Sequence, residues 1–329
     1  MSANQIGLAI VGCGGIAQSH LGALKELSGA RLAAAVDIMS ERAEAVVKEH
    51  GGTAYTDLAE ALQNPNVDAC IICLPHHLHK EATIAACSAG KHVLVEKPMA
   101  TNLADCRQMK AAADQAGVIL MVGQVLRFRT IHRKAREILR AGEIGEVVNA
   151  LRRRHAWHKS YEKAPWSKDP AKAGGWLLYG FGAHEYDMML WLIGRRAERV
   201  FALGRRNNPH WQDYDEISSL IELEGQVMAS VTQTLNCYTG AWDQIIVGTE
   251  GSMYISGADV LQVNRKAIEI PADPTHGMRA QLAEFIQAIG EGRRPEADAG
   301  DVLHTMALLE AVGRSIKSGA VETVDKLVN

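Results

Sequence analysis

The chain lacks several features that would each mark a particular kind of protein. It has no surplus of charge: 35 Lys and Arg against 38 Asp and Glu leave −3. That gives no electrostatic reason to expect nucleic acid or an anionic membrane as partner. The basic clusters at 152–154 and 205–206 are short and read as solvated surface. No uninterrupted apolar stretch approaches bilayer length, so no spanning helix is expected. The opening MSANQIGLAIVGCGG has neither a basic segment nor a small-residue cleavage site after an apolar run, so no secretory leader is expected. Six cysteines scattered over 329 residues make no disulfide framework and suit a reducing, cytoplasmic compartment. Cys70 and Cys73 form a C-x-x-C, but inside an apolar strand pattern, where residues three apart point to opposite faces. They read as buried small hydrophobes. Internal repeats and low-complexity tracts are also missing. What remains is an ordinary globular composition, 47% hydrophobic and 22% charged, on a chain long enough for two domains.

The first 125 residues alternate apolar runs with helical spacing. Strands are expected at 6–12, 31–37, 67–75, 92–98 and 118–124, with helices between them. Strands this continuously apolar are buried on both faces, which predicts a parallel sheet covered by helices. A helix follows over 131–145. From 146 to about 270 the runs alternate apolar and polar residues and are joined by short Gly-containing turns such as EGQ and TEGS. That pattern predicts a mostly antiparallel, half-exposed sheet. Helices return at 276–292 and 299–319. The fold class is therefore α/β. A first domain of residues 1–125 carries a parallel sheet. A second, 126–329, carries a large open sheet, and the last helices are able to reach back to the first domain.

Gly12-Cys13-Gly14-Gly15-Ile16-Ala17 is a G-x-G-x-x-A that directly follows a strand and opens a helix. Gly12 permits the tight turn, Gly14 lets backbone approach a pyrophosphate, and Ala17 lets the helix pack on the strand. The helix N-terminus faces the phosphates. Gly12, Gly14, Gly15 and Ile16 are thus candidate dinucleotide contacts. Asp37 ends the second strand, where an acid binds a ribose 2′-hydroxyl and repels a 2′-phosphate. The next residues, Ile38-Met39-Ser40, supply no Arg. NAD is favoured over NADP.

Glu96-Lys97-Pro98 sits at the carboxyl end of the fourth expected strand, where ligands bind in open α/β sheets. An ammonium there can hold a substrate oxygen and favour its alkoxide. Chemistry alone leaves this open against an ordinary loop lysine. His184, in GWLLYGFGAHEYDMMLWL, is similarly open between a core histidine and a proton-handling group.

Three blocks together, IVGCGGIAQSHLGAL, CLPHHLHKEATIAACSAGKHVLVEKPMA and APWSKDPAKAGGWLLYGFGAHEYDMMLWLIG, resemble the Gfo/Idh/MocA oxidoreductase family in order and spacing. The resemblance runs from about residue 6 to 318. It implies an N-terminal Rossmann domain, an α/β domain with an open sheet, and NAD(P)-dependent hydride transfer on sugars, polyols and related hydroxyl compounds. It implies that Lys97 is catalytic and His184 the acid/base, and that the protein forms homodimers or homotetramers through the open sheet. It places Leu74, Pro75 and His79 along the nicotinamide side of the cofactor, and Glu96 and Gln124 near its ribose and ring. Arg127 and Trp166 fall at positions bordering the substrate cleft, where a hinge ion pair and core packing are the plainer readings. The family role of PHHLH and the lack of a complementary cluster argue against a metal there.

One position departs from the family pattern. Many members carry an aspartate four residues before the histidine, and here that residue is Gly180. Asp187 matches an acid of its own, and Tyr179 offers a hydroxyl beside Gly180; all three are candidate substrate-side residues. A glycine at 180 removes one orienting partner from the imidazole and opens space for a bulkier substrate. His155, Trp157, His158, Tyr161 and Trp176 are further wall candidates that suit sugar rings or an aromatic diol, while the basic run 152–160 would suit a carboxylate. The expected activity is hydride transfer between NAD and a secondary hydroxyl. The alternatives are transient oxidation coupled to elimination or glycoside cleavage, and a dinucleotide sensor without chemistry. Retention of both Lys97 and His184 argues against the sensor.

Overall fold

The computed structural model describes residues 5–326, apart from the side chains of Ser160 and Tyr161, so the wall candidate Tyr161 lies outside the described residues. The chain divides into two compact units. One holds the chain up to Ala100, Ala104–Val125 and Thr275–Val302; the other holds Thr101–Leu103, Leu126–Pro274 and the chain from Leu303.

In the first unit, β1 (Ile6–Val11), β2 (Ala30–Val36), β3 (Thr53–Tyr55), β4 (Ala69–Ile72), β5 (His92–Val95) and β6 (Leu120–Val122) form a parallel sheet among the described residues. Their order is β3-β2-β1-β4-β5-β6. Helices α1 (Gly15–Leu24), α2 (Ser40–His50), α3 (Leu58–Leu62), α4 (His79–Ser88) and α5 (Leu103–Ala116) connect them. Apart from their first residues Ile6 and His92, β1, β4 and β5 are apolar and buried, as a sheet covered on both faces requires. The order reverses between β1 and β4, and the crevice at such a switch point is where α/β sheets bind ligands. Sequence reading finds five strands and misses β3. That edge strand has only three residues, none of them fully buried, so it carries almost no apolar signal.

The helix Met278–Glu291 packs on α1, and Val122 N–H donates to Ala297 O at 2.9 Å. A single cut at 125 assigns this late segment to the second unit. Its membership instead follows from pairing across more than 150 residues of chain, which local pattern does not encode.

The second unit is built on a sheet in the order β14-β13-β12-β11-β7-β10-β9-β8-β15. Its long strands are β7 (Val147–Trp157), β8 (Ala197–Arg205), β9 (Glu216–Leu223), β10 (Val227–Thr234) and β11 (Asn236–Gly248). The shorter ones are β12 (Ser252–Ser256), β13 (Val260–Val263), β14 (Lys266–Ala267) and β15 (Glu322–Thr323). All neighbours are antiparallel except β10 and β7. Burial alternates along β9 and β10, so one face is covered and the other open. Helices α6 (Thr130–Arg140) and α7 (Gly182–Ile193) pack together, and α7 also lies on β7 and β10. The long helix α8 (Ala299–Ser318) precedes β15. Among the described residues, no helix is long and apolar enough to cross a membrane.

Candidate cofactor and active-site residues

The glycine turn between β1 and α1 is shaped by two different demands. Gly12 has φ +89°, and a Cβ there would lie 2.7 Å from Cys73 O. Its hydrogen serves the fold, because only glycine fits that backbone against that strand. At Gly14 and Gly15 a Cβ would meet nothing within 4 Å. The space over those two residues is open at the start of α1, as a pyrophosphate on a helix N-terminus needs. Ala17 is fully buried against the sheet, and Ile16 is half exposed beside the turn.

Asp37 closes the same site. Its Oδ2 accepts Cys13 N–H at 2.9 Å and its Oδ1 accepts Met39 N–H at 3.0 Å, which holds the carboxylate at the end of β2. Remaining lone pairs are available to ribose hydroxyls, and the fixed negative charge opposes a 2′-phosphate. Ile38 beside it is 91% exposed and offers a phosphate nothing. Arg42, exposed in α2, acts electrostatically on the Cys13 thiol and is a cation that inspection of residues 38–40 alone passes over. These residues fit a dinucleotide.

The carboxyl ends of β4, β5 and β6 gather the other candidates of this unit. Leu74 and Pro75 are half buried after β4. His79 is fully buried, with Nδ1 2.8 Å from Pro98 O and Nε2 2.8 Å from Leu74 O. Burial pushes its pKa below the ordinary imidazole value despite those carbonyls. The ring thus ties together the loops after β4 and β5 and is wholly buried.

Glu96 is likewise spent internally. Its Oε1 lies 2.8 Å from Nε2 of the fully buried His20. Burial pushes the Glu96 carboxyl up, but the hydrogen bond and charge of His20, with Lys97, outweigh it and hold the pKa below the usual range. A Cβ on Gly123 would lie 3.1 Å from this carboxylate, so the loop after β6 is shaped around it. Gln124 is 1% exposed. Lys97, in contrast, is only half buried, and it follows β5 at the edge where β1 presents the glycine turn. Sequence reading did not find His20. Its only signal is a polar residue on the buried stripe of α1, which single-sequence patterning treats as noise.

In the second unit, the segment Trp176–Phe181 is a π-helix that runs into α7. Single π turns are frequent at functional sites. The i→i+5 bonding also means that a spacing of four residues, as between Gly180 and His184, is not one α-helical turn. Tyr179 and Gly180 are both buried. From Gly182 to Leu192 every residue is buried except His184. His184 is half-buried, so part of this residue stays accessible where its neighbours in the helix do not. Trp166 and Trp176 meet edge to face with centroids 5.5 Å apart, and the His158 ring meets Phe181 in the same way at 4.9 Å.

Arg127 and Asp187 are brought together, but with each other. Arg127 Nε donates to Asp187 Oδ2 at 2.8 Å and Nη2 to Oδ1 at 2.5 Å, while Thr305 Oγ1 also donates to Oδ1 at 3.0 Å. Arg127 is 3% exposed and Asp187 1%. The two residues thus form a buried ion pair, the plainer of the two readings for Arg127. Glu185, one residue after His184, accepts from Arg152 Nε at 2.6 Å, and Arg152 Nη1 donates to Gln244 at 2.7 Å. Both flanks of His184 on α7 are thus anchored by buried arginine–carboxylate pairs.

Residues 6–124 match the model described as "Oxidoreductase family, NAD-binding Rossmann fold", and residues 132–254 match the GFO/IDH/MocA C-terminal domain. The chain belongs to the Gfo/Idh/MocA oxidoreductase family. It is 27% identical to the 4-carboxy-2-hydroxymuconate-6-semialdehyde dehydrogenase of a Sphingobium species over 323 residues, covering 92% of this chain and 96% of that protein. It is also 27% identical to the scyllo-inositol 2-dehydrogenase (NAD(+)) of Bacillus subtilis over 344 residues, 98% of this chain and 97% of the relative. Among solved structures it resembles the aldose-aldose oxidoreductase of Caulobacter crescentus complexed with glycerol. The TM-score is 0.90 at 25% identity, covering 97% of this chain and all of the other. The first unit is thus an NAD-binding Rossmann domain, and the chain is an oxidoreductase of this family.

Proposed function

We propose that the protein is an NAD-dependent dehydrogenase of a secondary hydroxyl on a sugar, polyol or cyclic diol. In this reading Lys97 hydrogen-bonds the substrate oxygen and stabilises its negative charge, while His184 takes the hydroxyl proton. Gly12, Gly14, Gly15, Ile16 and Asp37 hold the cofactor, which when bound supplies the hydride acceptor. His79 positions the Lys97-Pro98 loop through Pro98 O, and the Glu185–Arg152 and Asp187–Arg127 pairs fix α7 and hence His184. The observation that carries the reading is that His184 is only half-buried within the otherwise buried stretch from Gly182 to Leu192. A histidine kept for packing would be buried with its neighbours. Two full-length relatives named as dehydrogenases, one of an inositol and one of a semialdehyde, support the reaction class.

The half-exposed or exposed Phe201, Leu203, Leu220 and Met228 lie on the open sheet face, the last three more than 60% exposed. Contiguous apolar surface of this kind marks an association site. A homodimer or homotetramer formed through that face fits it, and light scattering of Leu220→Lys protein tests it.

The deciding experiment is NADH formation, followed by absorbance, across sugars, inositols, sugar acids and aromatic dihydrodiols. Lys97→Ala and His184→Asn proteins serve as controls. On the best substrate each variant loses at least about a hundredfold in kcat, the usual scale for a positioned acid/base or oxyanion donor. Full turnover by either variant overturns its assignment. Consumption of substrate to an unsaturated product with no net NADH replaces dehydrogenation with oxidation-assisted elimination.

A further inference from the structure

We propose that a cleft in the second unit, between the β7–β11 ladder and the loop after β8, binds a neutral sugar ring. The inference does not rest on the reaction assigned above. The cleft has a volume of about 530 Å³ and is lined by Trp157, Tyr238, Asn207, Asn208, Asn236 and Glu216, among others. Small-molecule sites generally occupy roughly 300–1,000 Å³.

Its aromatic wall is made by an irregularity in the ladder. Asn236 pairs with Trp157, and the next pair is Ala241 with His155. Residues 237–240 of β11 therefore stand opposite Ala156 alone and bulge outward, with Gly240 at φ +69°. The bulge lays the Tyr238 ring on that of Trp157, with centroids 4.0 Å apart and planes inclined by 18°. Tyr238 nevertheless remains 79% exposed and Trp157 38%. Such a pair is a rigid, flat, apolar platform standing in water.

The polar wall is held just as firmly. The fully buried carboxylate of Asp215 accepts the backbone N–H groups of both Asn207 and Asn208, at 2.6–3.1 Å. The side chains above it are ordered in turn: Asn207 Nδ2 donates to Glu216 at 2.9 Å, and Asn208 Nδ2 to Asn236 Oδ1 at 3.1 Å. The Nδ2 of Asn236 is buried and has no hydrogen-bond partner. Buried amides are almost always paired, and this unpaired one belongs to a residue lining the cleft.

A pyranose satisfies both walls. Its C–H face is apolar and flat enough to lie on the aromatic platform, and its hydroxyls both donate and accept, matching amides and a carboxylate. The charges at the rim argue against an anionic occupant. Lys159 is 3.3 Å from Glu162, and the cleft's other carboxylate, Glu216, would repel a phosphate. A nucleotide, which would also stack, is therefore disfavoured.

Calorimetric titration of the NAD-loaded full chain with glucose, N-acetylglucosamine and cellobiose tests the proposal. At least one of these sugars binds. Trp157→Ala and Tyr238→Ala weaken that binding tenfold or more, while Tyr238→Phe, which keeps the stacked ring, and His184→Ala leave it within about twofold. Absence of binding by all three sugars overturns the proposal. So does equal loss in Tyr238→Phe and Tyr238→Ala, because stacking is then not the cause. Loss in His184→Ala assigns the binding to the substrate site instead. A change of molecular mass by light scattering in Tyr238→Ala, without a sugar effect, makes the cleft a contact between copies.

Discussion

Replacing Asp187 by alanine separates a structural ion pair from a substrate contact. In the native protein two nitrogens of Arg127 bond the two carboxylate oxygens at 2.8 and 2.5 Å, with both residues 3% exposed or less. Removing the carboxylate leaves a guanidinium buried with its main counter-charge gone and the Thr305 hydroxyl without its acceptor. Breaking a buried pair in this way costs about 3–5 kcal/mol, or two to nearly four powers of ten in the folding equilibrium. The assay is the urea midpoint of Asp187→Ala, Arg127→Met and the double variant Arg127→Met/Asp187→Leu. Each single change lowers the midpoint sharply. The double change recovers much of the loss, because replacing both charges with apolar groups of similar size is often neutral or better. A midpoint within about 1 kcal/mol of wild type for Asp187→Ala, together with a large rise in KM, would refute the reasoning and return Asp187 to the substrate.

Three further outcomes follow from the same geometry. Gly14→Ala folds with wild-type stability but loses NAD affinity, since its methyl occupies open space where phosphate binds, whereas Gly12→Ala is destabilised by its positive φ and the Cys73 carbonyl. Paired thermal melts and NAD titrations separate the two, and a Gly14→Ala protein that binds NAD normally contradicts the cradle. Burial, reinforced by Arg152, pulls His132 down to about 3 in the fold, while an unfolded histidine titrates near 6.5. The unfolded chain therefore binds the extra proton first, and stability present above pH 6.5 is lost as pH falls from there toward 3. His132→Asn should flatten the urea midpoint's dependence on pH between 6 and 4 by up to about 1.4 kcal/mol per pH unit, and an unchanged slope refutes the assignment. A thiol reagent at pH 8 should label one cysteine per native chain, Cys237. Its hydrogen bond with Thr239 lowers its pKa, while Cys13, Cys70, Cys73, Cys87 and Cys106 are buried. Rapid modification of a second thiol in the native state counts against that burial.

The legible part of this protein was what short stretches of chain encode. Continuous apolar runs on one side of residue 125 and alternating ones on the other specify a doubly covered parallel sheet and a half-exposed antiparallel one, because burial on two faces or one sets the period. The glycine turn was legible for the same reason, since backbone that must turn and open to phosphate admits few residue types. Tertiary structure alone decided which polar residues spend their hydrogen bonds on one another. Arg127 and Asp187 lie 60 residues apart and His20 and Glu96 76 apart, so nothing local marks them as partners. His79, in the polar stretch PHHLHKE, and His184, in an apolar one, are placed by the fold against what their neighbours suggest. Packing buries the first against two carbonyls and leaves the second half-buried in α7. A side chain's chemical type is written in the sequence, but its exposure and its partner are properties of the whole fold.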